Sequence, residues 1–167
     1  STVAYHTDRH QTYISNTATG EATISKSTDV PSGFGSSYKL EVTTADTSVA
    51  AAAEYGLYHF IEGQDLQGIK KGTPDALPLT FSFWVKSSLT GTYILEMLDD
   101  DNGSRHINKS YTVNSANTWE YKTITIPPNT ADAFKYTTTG LGAQIYWDLG
   151  EGSTYSGTAD SGWTNTY

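Results

Sequence analysis

Residues 57–93 read LYHFIEGQDLQGIKKGTPDALPLTFSFWVKSSLTGTY, and this stretch decides the fold. Leu79, Phe81, Phe83 and Val85 alternate with Thr80, Ser82, Trp84 and Lys86, the period-two pattern of a strand with one face buried. Phe81 and Phe83 are therefore expected in a core, with Trp84 on the opposite face. Pro78 precedes the run, where a residue without an N–H does no harm, and Ser87, Ser88 and Gly91 supply turn chemistry after it. Tyr93, Leu95 and Met97 then alternate again, which predicts an antiparallel return strand.

The same reading extends in both directions. Residues 118–126 are rich in β-branched and aromatic side chains and stop at Pro127-Pro128. Strands are expected over 12–15, 22–26, 38–43, 55–62, 79–87, 92–98, 105–113, 119–126 and 142–149. Helical periodicity is nearly missing; the alanine-rich run 45–55 fits either a short helix or a loop leading into a strand. Strands separated by turn signals predict an all-β fold, an antiparallel β-sandwich formed by one domain over 1–167. The long 64–78 connection suits a jelly roll better than a meander.

Composition excludes several classes. Cysteine is absent, so neither a disulfide framework nor a thiolate zinc site is available. The net charge is −8 and Lys70-Lys71 is the one adjacent basic pair, which argues against a nucleic-acid partner. No apolar run approaches the ~20 residues of a membrane helix, so no membrane insertion is expected. The polar amino terminus has no signal-peptide core, so export through a signal is not expected either. No cofactor motif is present: there is no P-loop, dinucleotide fingerprint or G-x-S-x-G elbow.

Candidate chemistry is sparse. Residues 99–103, DDDNG, lack the flanking acids of a calcium loop and read as an exposed hairpin tip. His6, Asp8 and His10 would share one strand face, yet no fourth ligand lies near them, and they read as ordinary surface residues. Glu54, Glu62, Glu96, Glu120, Asp148 and Glu151 hold the raw material for a hydrolytic pair, but no spacing selects one. The chain is therefore read as non-enzymatic, without catalytic or metal-binding residues. Aromatic content carries more weight: 12 Tyr, 4 Trp and 5 Phe are more than one small core hides. Exposed rings on a sandwich stack against the C–H faces of sugars. Trp84, Tyr146, Tyr155 and Trp163 are the candidate glycan or partner contacts, each weighed against packing beneath a terminal segment or in a subunit interface.

Several segments resemble one family in order and spacing. Residues 61–93 follow the pattern I-E-G-x-(D/N)-L-x-x-(I/L)-x-x-G-T-x-x-A-x-P-(L/I)-T-(L/F)-S-F-W-V-K-S-S-x-T-G-T-(Y/F), and 117–127 follow N-T-W-E-x-K-T-(I/V)-T-I-P. Gly140-Leu141 leading to Gly150-Glu151-Gly152-Ser153-Thr154-Tyr155, and the run from Ser27 to Phe34, add two more matches. The chain thus resembles tailed-phage virion proteins whose jelly-roll modules look like carbohydrate-binding domains. That resemblance implies a tail-fibre or appendage module on the virion, acting in host attachment. Its implied partners are other virion proteins, a host cell-surface glycan and further copies of itself, with a trimer expected for a fibre. A capsid decoration or head-fibre protein is the alternative; from another class, so is the accessory module of a secreted polysaccharide-degrading enzyme. The family pattern continues into a strand of the kind F-x-I-T-G-V-Q-L-E that is not seen here. A fragment of a longer chain, or a neighbouring subunit covering an open sheet edge, is expected to follow from that.

Overall fold

The computed structural model describes residues 2–7 as backbone and residues 9–15, 19–99 and 105–165 in full. Ten strands run β1 (Thr2–Thr7), β2 (His10–Ser15), β3 (Glu21–Ser27), β4 (Ser37–Thr44), β5 (Glu54–Glu62), β6 (Leu79–Val85), β7 (Gly91–Asp99), β8 (Arg105–Val113), β9 (Glu120–Ile126) and β10 (Leu141–Glu151). A 3-10 helix, Gly63–Ile69, opens the connection between β5 and β6. Each expected strand is present, and β1 is one that the pattern missed. Residues 45–53 form a loop rather than a helix. It is pinned where Ala53 N–H donates to Ala50 O at 3.0 Å and Ala53 is buried.

Six strands hydrogen-bond in the order β1-β2-β5-β10-β7-β8, and two separate pairs, β3-β4 and β6-β9, complete the set, every pairing antiparallel. The β6-β9 pair packs on one face of the large sheet, where Phe83 meets Tyr111 and Trp147 edge-on at ring separations of 5.2 and 5.6 Å. That inner face carries Leu95, Met97, Ile107 and Ile145, all fully buried, with Ile124 and Ile126 buried from β9. Phe81, Phe83 and Val85 are half-buried against the same cluster. The alternation in β6 is thus the core-facing register read from sequence. Burying such side chains contributes roughly 1.5–3 kcal/mol each. The molecule is an all-β sandwich.

One expectation is corrected at the end of β7. Asp99 is not part of an exposed tip: its carboxylate accepts a hydrogen bond from Lys71 Nζ at 2.8 Å, and both side chains are only 2% exposed. Lys71 also donates to Asp132 O at 2.8 Å and lies 4.7 and 5.2 Å from the rings of Phe134 and Trp163. Asp99 shares the inward parity of Leu95 and Met97, and a cation arriving from the distant connector helps make that position tolerable for a carboxylate. The rest of the DDDNG stretch, residues 100–103, lies outside the described residues.

The outer edge of β8 is covered by the chain itself. His106 and Thr164 exchange N–H···O bonds at 2.8 and 2.9 Å, and Asp160 N–H donates to Asn108 O at 2.9 Å. The Asp160 carboxylate accepts from Ser110 N–H and Oγ. Backbone groups that would otherwise invite another strand are satisfied along this edge.

Candidate functional site

The four aromatic residues singled out by sequence do not converge. Trp84 projects from the outer face of β6-β9, 40% exposed, and its register partner across the ladder is Tyr121, 56% exposed. Their ring centres are 5.3 Å apart. Thr80, Ser82, Thr123 and Thr125 alternate onto the same face, with Thr80 and Thr125 hydroxyls 3.4 Å apart. The result is an open aromatic step bordered by hydroxyls. Tyr121 was missed because its partner is 37 positions away in the chain, and only the β6-β9 register brings the two together.

Trp163 has a structural place. Its indole N–H donates to Pro127 O at 3.2 Å, and its ring covers Lys71. Together with His106, Asn108 and residues 156–158, it lines a polar cleft of about 460 Å³ between β8 and the carboxyl-terminal segment.

Tyr146 and Tyr155 belong to the outer face of the six-stranded sheet. Tyr146 is 2% exposed, which corrects its assignment as a glycan-stacking surface: Tyr58 covers it, stacked at 4.4 Å and 25°. The close approach has a sequence cause at Gly56, because a Cβ there would stand 2.1 Å from Tyr146 Cε2. Tyr58 continues into Phe60, parallel within 6° at 6.1 Å, and Tyr13 meets Tyr58 edge-on at 5.9 Å. Tyr58 thus covers Tyr146 and joins it to a row of half-buried rings.

Carboxylates border this row. Glu96 is the β7 register partner of Tyr146, Asp148 pairs with Gly56, and Glu151 pairs with Glu54. A bulge between Asp148 and Gly150 shifts the parity so that Asp148 and Glu151 face the same way. Glu54 accepts hydrogen bonds from Ser15 Oγ, at 3.3 Å, and from the Tyr155 hydroxyl. Burial, reinforced by the charges of Asp148, Glu96 and Glu54, pushes the Glu151 carboxyl up to about 8. Burial also raises Asp148 and Glu54, in each case opposed by hydrogen bonds, from Gly150 N–H to the first and from Ser15 and Tyr155 to the second. Burial, then the charges of Tyr58, Glu151, Asp148 and Glu54, drive the Tyr146 phenol well above its ordinary value. The Tyr146 hydroxyl has no hydrogen-bond partner. Sequence spacing selected no carboxylate pair, yet the fold gathers four.

Other sequence candidates resolve simply. Glu62 pairs with Arg9 at 3.1 Å and Glu120 with Lys122 at 2.5 Å, both as structural ion pairs. The side chains of His6 and Asp8 lie outside the described residues. His10 lies 4.5 Å from His59 on the inner face of β2 and β5. Among the described residues no three His, Asp or Glu side chains come close enough together to hold a metal ion. No family model, curated protein or solved structure matches the chain.

Proposed function

We propose that this chain is a non-enzymatic virion module of a tailed phage, a jelly-roll sandwich of a tail fibre or related appendage that contacts a host-surface glycan. The observation that carries the glycan contact is the Trp84 and Tyr121 step, two exposed rings on a flat face bordered by hydroxyls. Such a surface offers stacking to the C–H faces of a sugar ring and hydrogen bonds to its hydroxyls. The phage reading itself rests on the ordered sequence motifs. Binding to a panel of cell-surface polysaccharides, with Trp84→Ala and Tyr121→Ala each weakening it about ten-fold or more, tests the contact. Unchanged binding in both variants removes this face from the proposal.

The partners proposed are other virion proteins and further copies of the chain, as a trimer if it belongs to a fibre. Labelling of purified particles separates tail from capsid, and sedimentation reads the oligomer. A monomer at every concentration would refute the trimer.

One observation favours a second reading. A carboxyl held protonated near neutral pH beside other carboxylates is what general acid catalysis of glycoside hydrolysis uses, and Glu151 next to Asp148 and Glu54 has that character. Depolymerisation of a polysaccharide that disappears in Glu151→Gln would replace the binding reading with a hydrolytic one. Unaltered chain lengths support the binding module.

A further inference from the structure

The acids on the outer face of the large sheet stand out because of where the cations are. The chain has ten Lys and Arg against eighteen Asp and Glu. Arg9 pairs with Glu62 and Asp65, Lys39 with Glu41, Lys71 with Asp99, Lys86 with Asp29, Arg105 with Asp132, Lys109 with Asp160 and Lys122 with Glu120. Among the described residues none pairs with Glu54, Asp148 or Glu151. These three partly buried carboxylates lie near enough for their charges to act on a fourth acceptor, the Tyr146 hydroxyl, which is buried and has no partner of its own. Leaving such a group unsatisfied is costly, and carboxylates without counter-charge in a half-buried site add to that.

We propose that this site, formed by Glu54, Asp148, Glu151 and Tyr146, binds an organic ammonium group, of the kind an amino sugar with a free amine carries. An ammonium presents three N–H donors from one cationic centre, which matches a site that offers several acceptors and no counter-charge. The carboxylates do not converge tightly enough for direct metal coordination. Tyr13 and Tyr58 supply ring surface beside the acids, adding attraction for the cation and a stacking face for its carbon frame. The Glu151 carboxyl is raised first by burial and then by the neighbouring charges of Asp148, Glu96 and Glu54. An incoming cation reverses that preference, so the bound ammonium expels a proton from Glu151. The site lies on the opposite layer from Trp84 and Tyr121 and does not depend on them.

The test is calorimetric titration of the whole chain with a glucosamine hexasaccharide and with its fully N-acetylated counterpart, at mildly acidic pH, in two buffers of different ionisation heat. The free-amine ligand is expected to bind at least about ten-fold more tightly, a difference of ~1.4 kcal/mol. Proton release should be registered between the two buffers. Glu151→Gln and Asp148→Asn should each weaken binding several-fold and lower the proton count, whereas Leu89→Ala, at an exposed position outside both proposed sites, leaves binding of the amine unchanged. Circular dichroism and melting of the same variants establish that they are folded; both relieve like-charge crowding. Equal affinity for the two ligands, no binding of either, or full binding by folded Glu151→Gln would overturn the proposal.

Discussion

Replacing Asp99 by Ala should be among the most damaging single changes in this protein. The substitution leaves the Lys71 ammonium, 2% exposed, without its carboxylate. What remains to it is one carbonyl, Asp132 O at 2.8 Å, and the faces of Phe134 and Trp163. A hydrogen bond to a charged group contributes about 1.5–3 kcal/mol and an aromatic face about 0.5–2 kcal/mol, already present in the wild type and unable to substitute for the lost ion. Stranding one member of a buried pair costs ~3–5 kcal/mol, a large share of the ~5–15 kcal/mol that typically holds a domain together. Lys71→Met should also be destabilising, because it removes the ammonium that faces the buried Asp99 carboxylate. The double variant Lys71→Met/Asp99→Leu should cost far less than the sum, because neither charge then remains. Urea unfolding of the four proteins, analysed as a double-mutant cycle, gives the coupling directly. A cost for Asp99→Ala within about half a kcal/mol of zero is what an exposed turn residue would show, and it would refute the buried pair.

Phe83→Ala should cost ~2–4 kcal/mol through loss of its contacts with Tyr111 and Trp147, while Trp84→Ala on the outer face stays within about 1 kcal/mol; equal costs in chemical melts would mean that the β6 register is misassigned. Glu151 has a folded value raised from 4.5 to about 8, so the stability it contributes is fully present below pH 4.5 and is lost as pH rises through about 8. Glu151→Gln should therefore become more stable than the wild type across that window, by about 1–2 kcal/mol after discounting for partial exposure, and parallel pH profiles would contradict the crowding. Gly56→Ala places a methyl 2.1 Å from Tyr146 Cε2 and 2.6 Å from Trp147 O, which should cost ~2–3 kcal/mol, whereas Gly68→Ala, with open space around it, serves as the near-neutral control in the same thermal melts.

The strands were legible because their causes are local. Alternation in Leu79–Val85 and β-branched enrichment in Glu120–Ile126 act within a few residues, and Phe81, Phe83, Ile124 and Ile126 face the core accordingly. Only β1 escaped, and the open choice at 45–55 between helix and loop was settled by tertiary contacts. Side-chain environment at the sites was not legible, because it depends on which strands become neighbours. Asp99 reads as a solvated acid until Lys71 arrives from 28 positions away, and Tyr146 reads as an open ring until Tyr58 and Gly56 are paired to its strand. No interval in the chain links Glu54, Glu96, Asp148 and Glu151. The order β5-β10-β7 and one bulge do, since hydrogen-bonded strands lie about 5 Å apart however distant they are in sequence. By itself, then, the sequence determined the all-β class, the strand positions and the inward register of β6. The tertiary structure alone decided which charges are buried and paired, and which acids are brought near Tyr146, because burial and Coulomb interactions depend on distance in space rather than along the chain.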